Sequence, residues 1–83
     1  MNEVAPFSLK GKTAIVTGGA KGIGEAVCRV FAQQEAEVHL LDLDQENGER
    51  VAAEIGATFH HIDLTLHDKV EEVFEAVLPK AVL

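Results

Sequence analysis

The stretch Thr17-Gly18-Gly19-Ala20-Lys21-Gly22-Ile23-Gly24 decides the fold, because it separates a short apolar run from a helix-periodic segment. The run before it, residues 13–17, is β-branched and apolar on both faces, as in a strand buried in a parallel sheet. The segment after it carries apolar residues at helical spacing, namely Ile23, Val27, Val30 and Phe31, with Glu25, Arg29 and Gln33 or Gln34 left for solvent. A helix start offers unpaired N–H groups and a positive dipole end, so this turn predicts a dinucleotide pyrophosphate site.

Glycine is expected in such a turn because a Cβ would block close approach of the backbone to a phosphate, or because φ must be positive. Asp42 lies eighteen positions after Gly24, at the end of the second apolar run. A carboxylate at that distance is placed to accept both hydrogen bonds from an adenosine ribose. Two structural alternatives stay open: Asp42 as a mere turn acid, and Asp44 as the ribose acid, although Asp44 suits a helix N-cap better.

The pattern Thr-Gly-x-x-x-Gly-x-Gly of residues 17–24 resembles the cofactor fingerprint of the short-chain dehydrogenase/reductase family. The similarity includes residues 9–12, 41–43 and 61–65, and it extends from about Phe7 to Leu78. It implies that Asp63 holds the adenine amino group, that the backbone of Leu64 flanks the ring, and that Ile23 gives its N–H to the pyrophosphate. Asp63 also has a structural alternative as a capping acid. The expected cofactor-binding residues are Gly18, Lys21, Gly22, Ile23, Gly24, Asp42, Leu43, Asp63 and Leu64.

The same resemblance implies an Asn-Asn-Ala-Gly segment, a catalytic Ser and a Tyr-x-x-x-Lys motif further along the chain, and none of these is present. The 83 residues contain no tyrosine, and the only serine, Ser8, precedes the first strand. We therefore expect no catalytic residue here, and we expect residues 1–83 to be the amino-terminal part of an NAD(P)-binding Rossmann domain. Residues 78–83 depart from a run into a fourth strand, which favours a truncated product over an arbitrary cut.

Strand and helix patterns alternate three times, which is typical of βαβ units with parallel strands. The predicted strands are 12–17, 36–42 and 57–62, and the predicted helices are 22–34, 45–55 and 66–78. The second helix has Asp44 as its N-cap and Gly56 as its stop. The third has a capping-box pattern at Thr65 and Asp68, and Pro79 ends it. The sequence thus predicts an α/β half-domain of three parallel strands in the order 3-2-1, whose first strand is an exposed edge that favours self-association.

Lys21 and Asp42 give conflicting indications about the cofactor. Lys21 could attract the 2′-phosphate of NADP, whereas Asp42 would repel it at close range. Like charges about 4 Å apart cost about 4 kcal/mol at an effective dielectric near 20, whereas an exposed Lys–phosphate attraction is worth about 1 kcal/mol. Asp42 should therefore prevail, and the neutral Leu43 agrees, so NAD is predicted over NADP.

The composition of the chain excludes some classes of binding partner. The net charge of −7, with seven scattered Lys and Arg, argues against nucleic acid or an anionic membrane. The one cysteine, Cys28, falls within the first helix on or near its buried side and favours a reducing cytoplasm. No targeting or membrane-spanning signal is evident. A metal site is not expected, because the adjacent His60 and His61 face opposite sides of a strand.

Two functions follow. The first is an NAD-dependent oxidoreductase that transfers hydride between nicotinamide and an alcohol or carbonyl substrate, with its catalytic residues outside this chain. The second is a non-catalytic nucleotide-binding or interaction fragment that pairs with a full-length relative.

Overall fold

Three strands and three helices alternate along residues 8–77, which the computed structural model describes. They are β1 Thr13–Thr17, α1 Gly22–Gln33, β2 Glu37–Asp42, α2 Gln45–Ile55, β3 Thr58–His61 and α3 His67–Val77. The strands are parallel, and β2 lies between β1 and β3. The predicted alternation and the order 3-2-1 are therefore confirmed, and each described element begins and ends within one residue of its prediction. Within this part of the chain, no helix is both long and apolar enough to cross a membrane.

The core lies between one face of the sheet and the two helices α1 and α2. Val38 and Leu40 point into it from β2, since alternate residues of a strand face the same side. Cys28 from α1 and Val51 from α2 are completely buried against them. The other face of the central strand is mixed, because Leu41 is completely buried there beside the buried His39. This confirms the prediction that Cys28 lies on the buried side of α1.

The predicted buried face of α1 is partly wrong. Ile23 is 84% exposed and Val30 is 52% exposed, whereas the polar pair Glu25 and Arg29 is half-buried. The reason is that Arg29 binds Glu25 at 2.8 Å and also reaches Glu54 on α2, so this side of α1 faces the second helix. Ile23 and Val30 are on the other side of α1, where their exposure shows that no element among residues 8–77 covers them.

Helix α2 begins and ends at the predicted residues. The side chain of Asp44 accepts a hydrogen bond from Asn47 N at 3.1 Å, and Gly56 follows the helix with a left-handed φ of 73°. Gly48 lies where α2 crosses β3, and a Cβ there would sit 2.1 Å from the ring of Phe59. The absence of a side chain at Gly48 therefore sets how closely α2 approaches the sheet.

Helix α3 starts differently from the predicted capping box. The Thr65 hydroxyl donates to Asp63 Oδ1 at 2.7 Å, and the helix begins at His67. The reason is that the Asp63 carboxylate, two residues earlier, competes with the backbone of α3 for the Thr65 hydroxyl and binds it before the helix starts. The predicted last residue, Leu78, the Pro79 stop and the proposed ending at residues 78–83 lie outside the described residues, as does the start of the family resemblance at Phe7.

Among the described residues, strand β1 has a neighbour on one side only, so its other edge is open, as predicted. Its even-numbered residues face β2: Gly18 N donates to Leu41 O at 2.7 Å, and Lys12 O accepts from Glu37 N at 2.8 Å. The backbone N–H and C=O groups of Thr13, Ile15 and Thr17 therefore point to the open side. The side chains at the start of the strand are nevertheless covered, because Thr13 and Ala14 are buried.

Candidate functional site

The glycine-rich loop joins the carboxyl end of β1 to the start of α1. Gly18 and Gly22 have φ values of 71° and 63°, a region that side chains disfavour. A Cβ at Gly24 would lie 1.9 Å from the carbonyl oxygen of Gly18, so the helix start closes directly on the loop. Gly19 packs into the core, because a Cβ there would meet Leu40 at 2.8 Å. A positive φ thus favours glycine at positions 18 and 22, and lack of space for a Cβ favours it at positions 19 and 24.

The start of α1 keeps its backbone donors available. Lys21 is the N-cap in extended conformation, and no side chain in residues 8–77 caps this helix. The first intrahelical bond runs from Glu25 N to Lys21 O at 3.3 Å, so the N–H groups of Gly22, Ile23 and Gly24 have no partner within the helix. By contrast, the Asp44 side chain occupies the start of α2. Of these two helix starts at the carboxyl edge of the sheet, α1 is the one open to an anion.

Asp42 at the end of β2 is brought against this loop. Its Oδ2 accepts a hydrogen bond from Ala20 N at 3.1 Å, and its Oδ1 accepts one from Asp44 N at 2.9 Å. The side chain is half-buried, and both oxygens keep further acceptor capacity. The carboxylate therefore links the glycine-rich loop to the turn between β2 and α2. Its bond from Asp44 N is one that a turn acid makes, whereas its bond from Ala20 N reaches beyond that turn.

Lys21 lies beside the same turn. Its Nζ is 3.7 Å from Asp44 Oδ2, and its side chain is 72% exposed. Asn47 donates both its backbone and its side-chain N–H to Asp44, and these bonds, with Lys21 nearby, lower the pKa of the Asp44 carboxyl. Leu43 lies between Asp42 and Asp44 in the chain, and its side chain is 59% exposed. One cation and two carboxylates thus surround the place predicted for the adenosine ribose.

Asp63 and Leu64 follow β3 at the same edge of the sheet. Asp63 Oδ1 accepts hydrogen bonds from both the hydroxyl and the backbone N–H of Thr65, and these bonds lower the pKa of the Asp63 carboxyl. This supports the capping alternative for Asp63, although both bonds end on the same oxygen. Leu64 is exposed next to it. Register places β3 beside Asp42, because Asp42 pairs with His61.

The sequence did not predict a pair of histidines that lies on the face of the sheet opposite to α1 and α2. His39 Nδ1 lies 2.9 Å from His60 Nε2, and His39 Nε2 lies 2.8 Å from Glu37 Oε2. The two rings are within 25° of coplanar and their centroids are 5.2 Å apart, so the facing nitrogens point straight at each other. That geometry suits a shared proton, whereas metal ligation needs lone pairs that converge at an angle. Across residues 8–77 no group of three or more metal-binding side chains forms.

Parallel strands in this order, a glycine-rich turn onto an open helix start and an acid at the end of the second strand define a Rossmann-type dinucleotide-binding architecture. Comparison with known proteins identifies the family. The sequence profile of the family described as short chain dehydrogenase matches residues 12–81. The chain belongs to the short-chain dehydrogenase family, as the fingerprint of residues 17–24 predicted.

Two plant proteins are among the relatives of the chain. It is 42% identical over 77 residues to sex determination protein tasselseed-2 of Zea mays, which covers 90% of this chain and 23% of that protein. It is 40% identical over 70 residues to secoisolariciresinol dehydrogenase of Forsythia intermedia, covering 81% of this chain and 25% of the relative. The chain therefore spans about a quarter of the length of these relatives.

Solved structures give the same result. A 3-ketoacyl-(acyl-carrier-protein) reductase from Brucella melitensis, crystallised with NADH, superposes with a TM-score of 0.79 at 40% sequence identity. The match covers 88% of this chain and 31% of that reductase. A putative betaketoacyl-ACP reductase superposes with a TM-score of 0.77 over 84% of this chain and 30% of the other. The three-stranded unit is therefore part of a larger fold in these proteins.

Proposed function

We propose that the chain is the amino-terminal, dinucleotide-binding part of an NAD-dependent oxidoreductase domain. The observation that carries the proposal is the uncapped start of α1, which lies next to Asp42. The pyrophosphate would lie on the N–H groups of Gly22, Ile23 and Gly24, at the positive end of the helix dipole. Gly18 would let the backbone pass close to the phosphates, because it has no Cβ and a φ of 71°.

The adenosine end of the cofactor would lie along the turns after β2 and β3. Each oxygen of Asp42 accepts one backbone hydrogen bond and has a lone pair left for a ribose hydroxyl. Both bonds from Thr65 reach Asp63 Oδ1, so Oδ2 is the atom we assign to the adenine amino group. The exposed side chains of Leu43 and Leu64 would cover the adenine ring. This assignment follows the family resemblance and the shared edge of the sheet.

NAD is preferred over NADP in this proposal. A 2′-phosphate would replace the hydroxyl that hydrogen-bonds to Asp42 and would bring two negative groups together in a half-buried place. Lys21, the nearby cation, is exposed and already lies beside Asp44. Solvent screening makes its attraction for a phosphate weak.

The proposed reaction is hydride transfer between the nicotinamide and an alcohol or carbonyl group of a small molecule. The support is the family membership, together with the dehydrogenase and reductase names of the relatives. The cofactor supplies the hydride chemistry, and this chain binds and orients its adenosine and pyrophosphate parts. With no tyrosine in the 83 residues, a phenolic acid or base would come from outside them.

A reducing compartment such as the cytoplasm fits this proposal. Cys28 is the single cysteine of the chain and is completely buried. Burial, together with the nearby Glu25, raises the pKa of its thiol to about 11, so it is a packing residue of the core.

Calorimetric titration of the chain with NAD and NADP tests the proposal. We expect NAD to bind more tightly than NADP, and Asp42→Ala to abolish NAD binding. Asp68→Ala is the matched control, since Asp68 is an exposed acid in the first turn of α3. Circular dichroism checks that each variant is folded. A folded wild-type chain that binds neither dinucleotide would contradict the proposal.

A second candidate function, association with a second chain through β1, rests on the open edge of that strand. The N–H and C=O groups of Thr13, Ile15 and Thr17 face the open side, which favours pairing with another strand. Ile15→Pro removes one of these donors without removing a bond to β2, and edge strands tolerate proline. We expect sedimentation to show self-association of the wild type and a monomer for Ile15→Pro. A monomeric wild type at high concentration would exclude this candidate.

A further inference from the structure

The N-caps of α1 and α2 form an ion pair across the predicted ribose position. Lys21 caps α1, Asp44 caps α2, and Nζ lies 3.7 Å from Oδ2. Asp42 lies within the same group, because it accepts hydrogen bonds from Ala20, the residue before Lys21, and from Asp44 itself. Lys21, the cation of the glycine-rich loop that could bind a 2′-phosphate, thus belongs to a loop that lies next to the carboxylates of Asp42 and Asp44.

The two partners of this ion pair differ in freedom. Asp44 is fixed, because Asn47 donates its backbone N–H at 3.1 Å and its side-chain N–H at 2.7 Å to the carboxylate. Lys21 has only its long exposed side chain to position the ammonium group. The position of the ion pair is therefore set by Asp44, and the Lys21 ammonium moves to it.

We propose that Asp44 is a specificity-determining residue that acts through Lys21. It holds the Lys21 ammonium at the start of α2 and neutralises it, so that a 2′-phosphate meets Asp42 without a compensating cation. This inference rests on the proposed function, since it requires the adenosine ribose to bind at Asp42. It assigns the selection against NADP to two residues: Asp42 through direct repulsion, and Asp44 through the withdrawal of Lys21.

Asp44→Asn isolates the charge, because asparagine is as good an N-cap as aspartate and keeps an acceptor for Asn47 N. Released from the carboxylate, Lys21 can turn to the 2′-phosphate. We expect NADP to bind about three- to tenfold more tightly, as suits one exposed ion pair, and the NAD dissociation constant to stay within about twofold because Asp42 is unchanged. Glu46→Gln is the matched control, since Glu46 is an exposed acid in the same first turn of α2.

Lys21→Met separates action through Lys21 from direct repulsion by Asp44. In the wild-type background we expect Lys21→Met to change NADP affinity by less than about twofold, because the ion pair already withdraws the cation. In the Asp44→Asn background it should abolish the gain in NADP affinity. The gain would persist in the double variant if Asp44 repelled the phosphate directly, and this result would overturn the inference.

Calorimetric titration of wild type, the single variants and the double variant with NAD and with NADP gives all these values, and circular dichroism monitors the fold. Wild type that binds NAD, with an unchanged NADP/NAD ratio in Asp44→Asn, refutes the role of Asp44 and leaves the proposed function standing. Folded wild type that binds no NAD refutes the proposed function and, with it, the inference. A fivefold or larger loss of NADP affinity in Lys21→Met also refutes the inference, because Lys21 would then already serve the phosphate.

Discussion

Replacing Gly24 with alanine tests the close approach that shapes the glycine-rich loop. A Cβ at this position would lie 1.9 Å from the carbonyl oxygen of Gly18 and 2.7 Å from its carbonyl carbon. Non-bonded carbon and oxygen atoms do not approach within about 3 Å. The peptide of Gly18 must therefore retreat by roughly 1 Å, or the first turn of α1 must unwind.

The loss of folding stability in Gly24→Ala is the sum of three contributions. Gly18 N donates to Leu41 O at 2.7 Å, and losing this bond removes about 1 kcal/mol of stability. Overpacking adds about 1–3 kcal/mol, and the better helix propensity of alanine offsets about 0.5–1 kcal/mol. We expect the free energy of unfolding to fall by about 1–3 kcal/mol. NAD binding should weaken more than about tenfold, because the N–H groups at the start of α1 are displaced.

Urea denaturation followed by circular dichroism measures the first effect, and calorimetric titration with NAD measures the second. Gly11→Ala is the control, because Gly11 has a φ of 82° and open space around its Cβ position, but lies outside the glycine-rich loop. It should cost about 1 kcal/mol through backbone strain and leave NAD affinity unchanged. A Gly24→Ala chain with wild-type stability and wild-type NAD affinity would refute the steric reasoning.

Three further predictions concern the core and the histidine pair. Gly48→Ala should lower the free energy of unfolding by about 1–2 kcal/mol in urea denaturation, because its Cβ would meet the Phe59 ring at 2.1 Å, and Phe59→Leu in the same chain should recover part of the loss. The pKa of His60 is lowered from 6.5 by burial and by His39, so the folded chain takes up this proton less readily than the unfolded chain. Stability should therefore be full above about pH 6.5 and fall as the pH drops below it, and His60→Gln should reduce this slope in denaturation curves. Cys28, with its pKa raised to about 11, should resist alkylation near pH 8 in the folded chain and react on unfolding, as mass spectrometry would show.

Each of these predictions has a contrary outcome. A more stable Gly48→Ala chain would mean that helix propensity outweighs the overlap with Phe59. Equal stability slopes below pH 6.5 in wild type and His60→Gln would place the proton uptake elsewhere. Rapid alkylation of Cys28 at a urea concentration that leaves the chain folded would show that the core opens locally.

The order of the strands and helices could be predicted because the hydrophobic periodicity agrees along the chain with the residues that begin and end these elements. Asp44 and Gly56 mark both ends of α2 through local chemistry, a cap hydrogen bond and a left-handed φ, and local chemistry is visible in the sequence. The buried face of α1 was harder to predict, because Arg29 was expected in solvent. Its half-burial depends on Glu54 of another helix, a contact that no spacing within α1 reveals.

In the candidate site, too, local features could be predicted from the sequence, whereas contacts between distant residues could not. Distance along the chain indicated Asp42, but its contact with Ala20 depends on how the loop folds back onto β2. The pair of His39 and His60 was missed because they belong to neighbouring strands twenty-one residues apart, and their meeting depends on register. An i, i+2 pattern of Glu37 and His39 on one strand was the one local signal for it.

The two backbone hydrogen bonds to Asp42 have a consequence for how cofactor preference could change in evolution. A substitution at Asp42 would remove a repelling charge and, at the same time, the acceptor for Ala20 N and Asp44 N. A change toward NADP by that route would loosen the glycine-rich loop before any gain in NADP affinity appeared. Asp44→Asn keeps the acceptor for Asn47 N and so offers an easier first step. Mutational paths between the two cofactors should therefore begin beside Asp42, the proposed ribose acid, and reach it last.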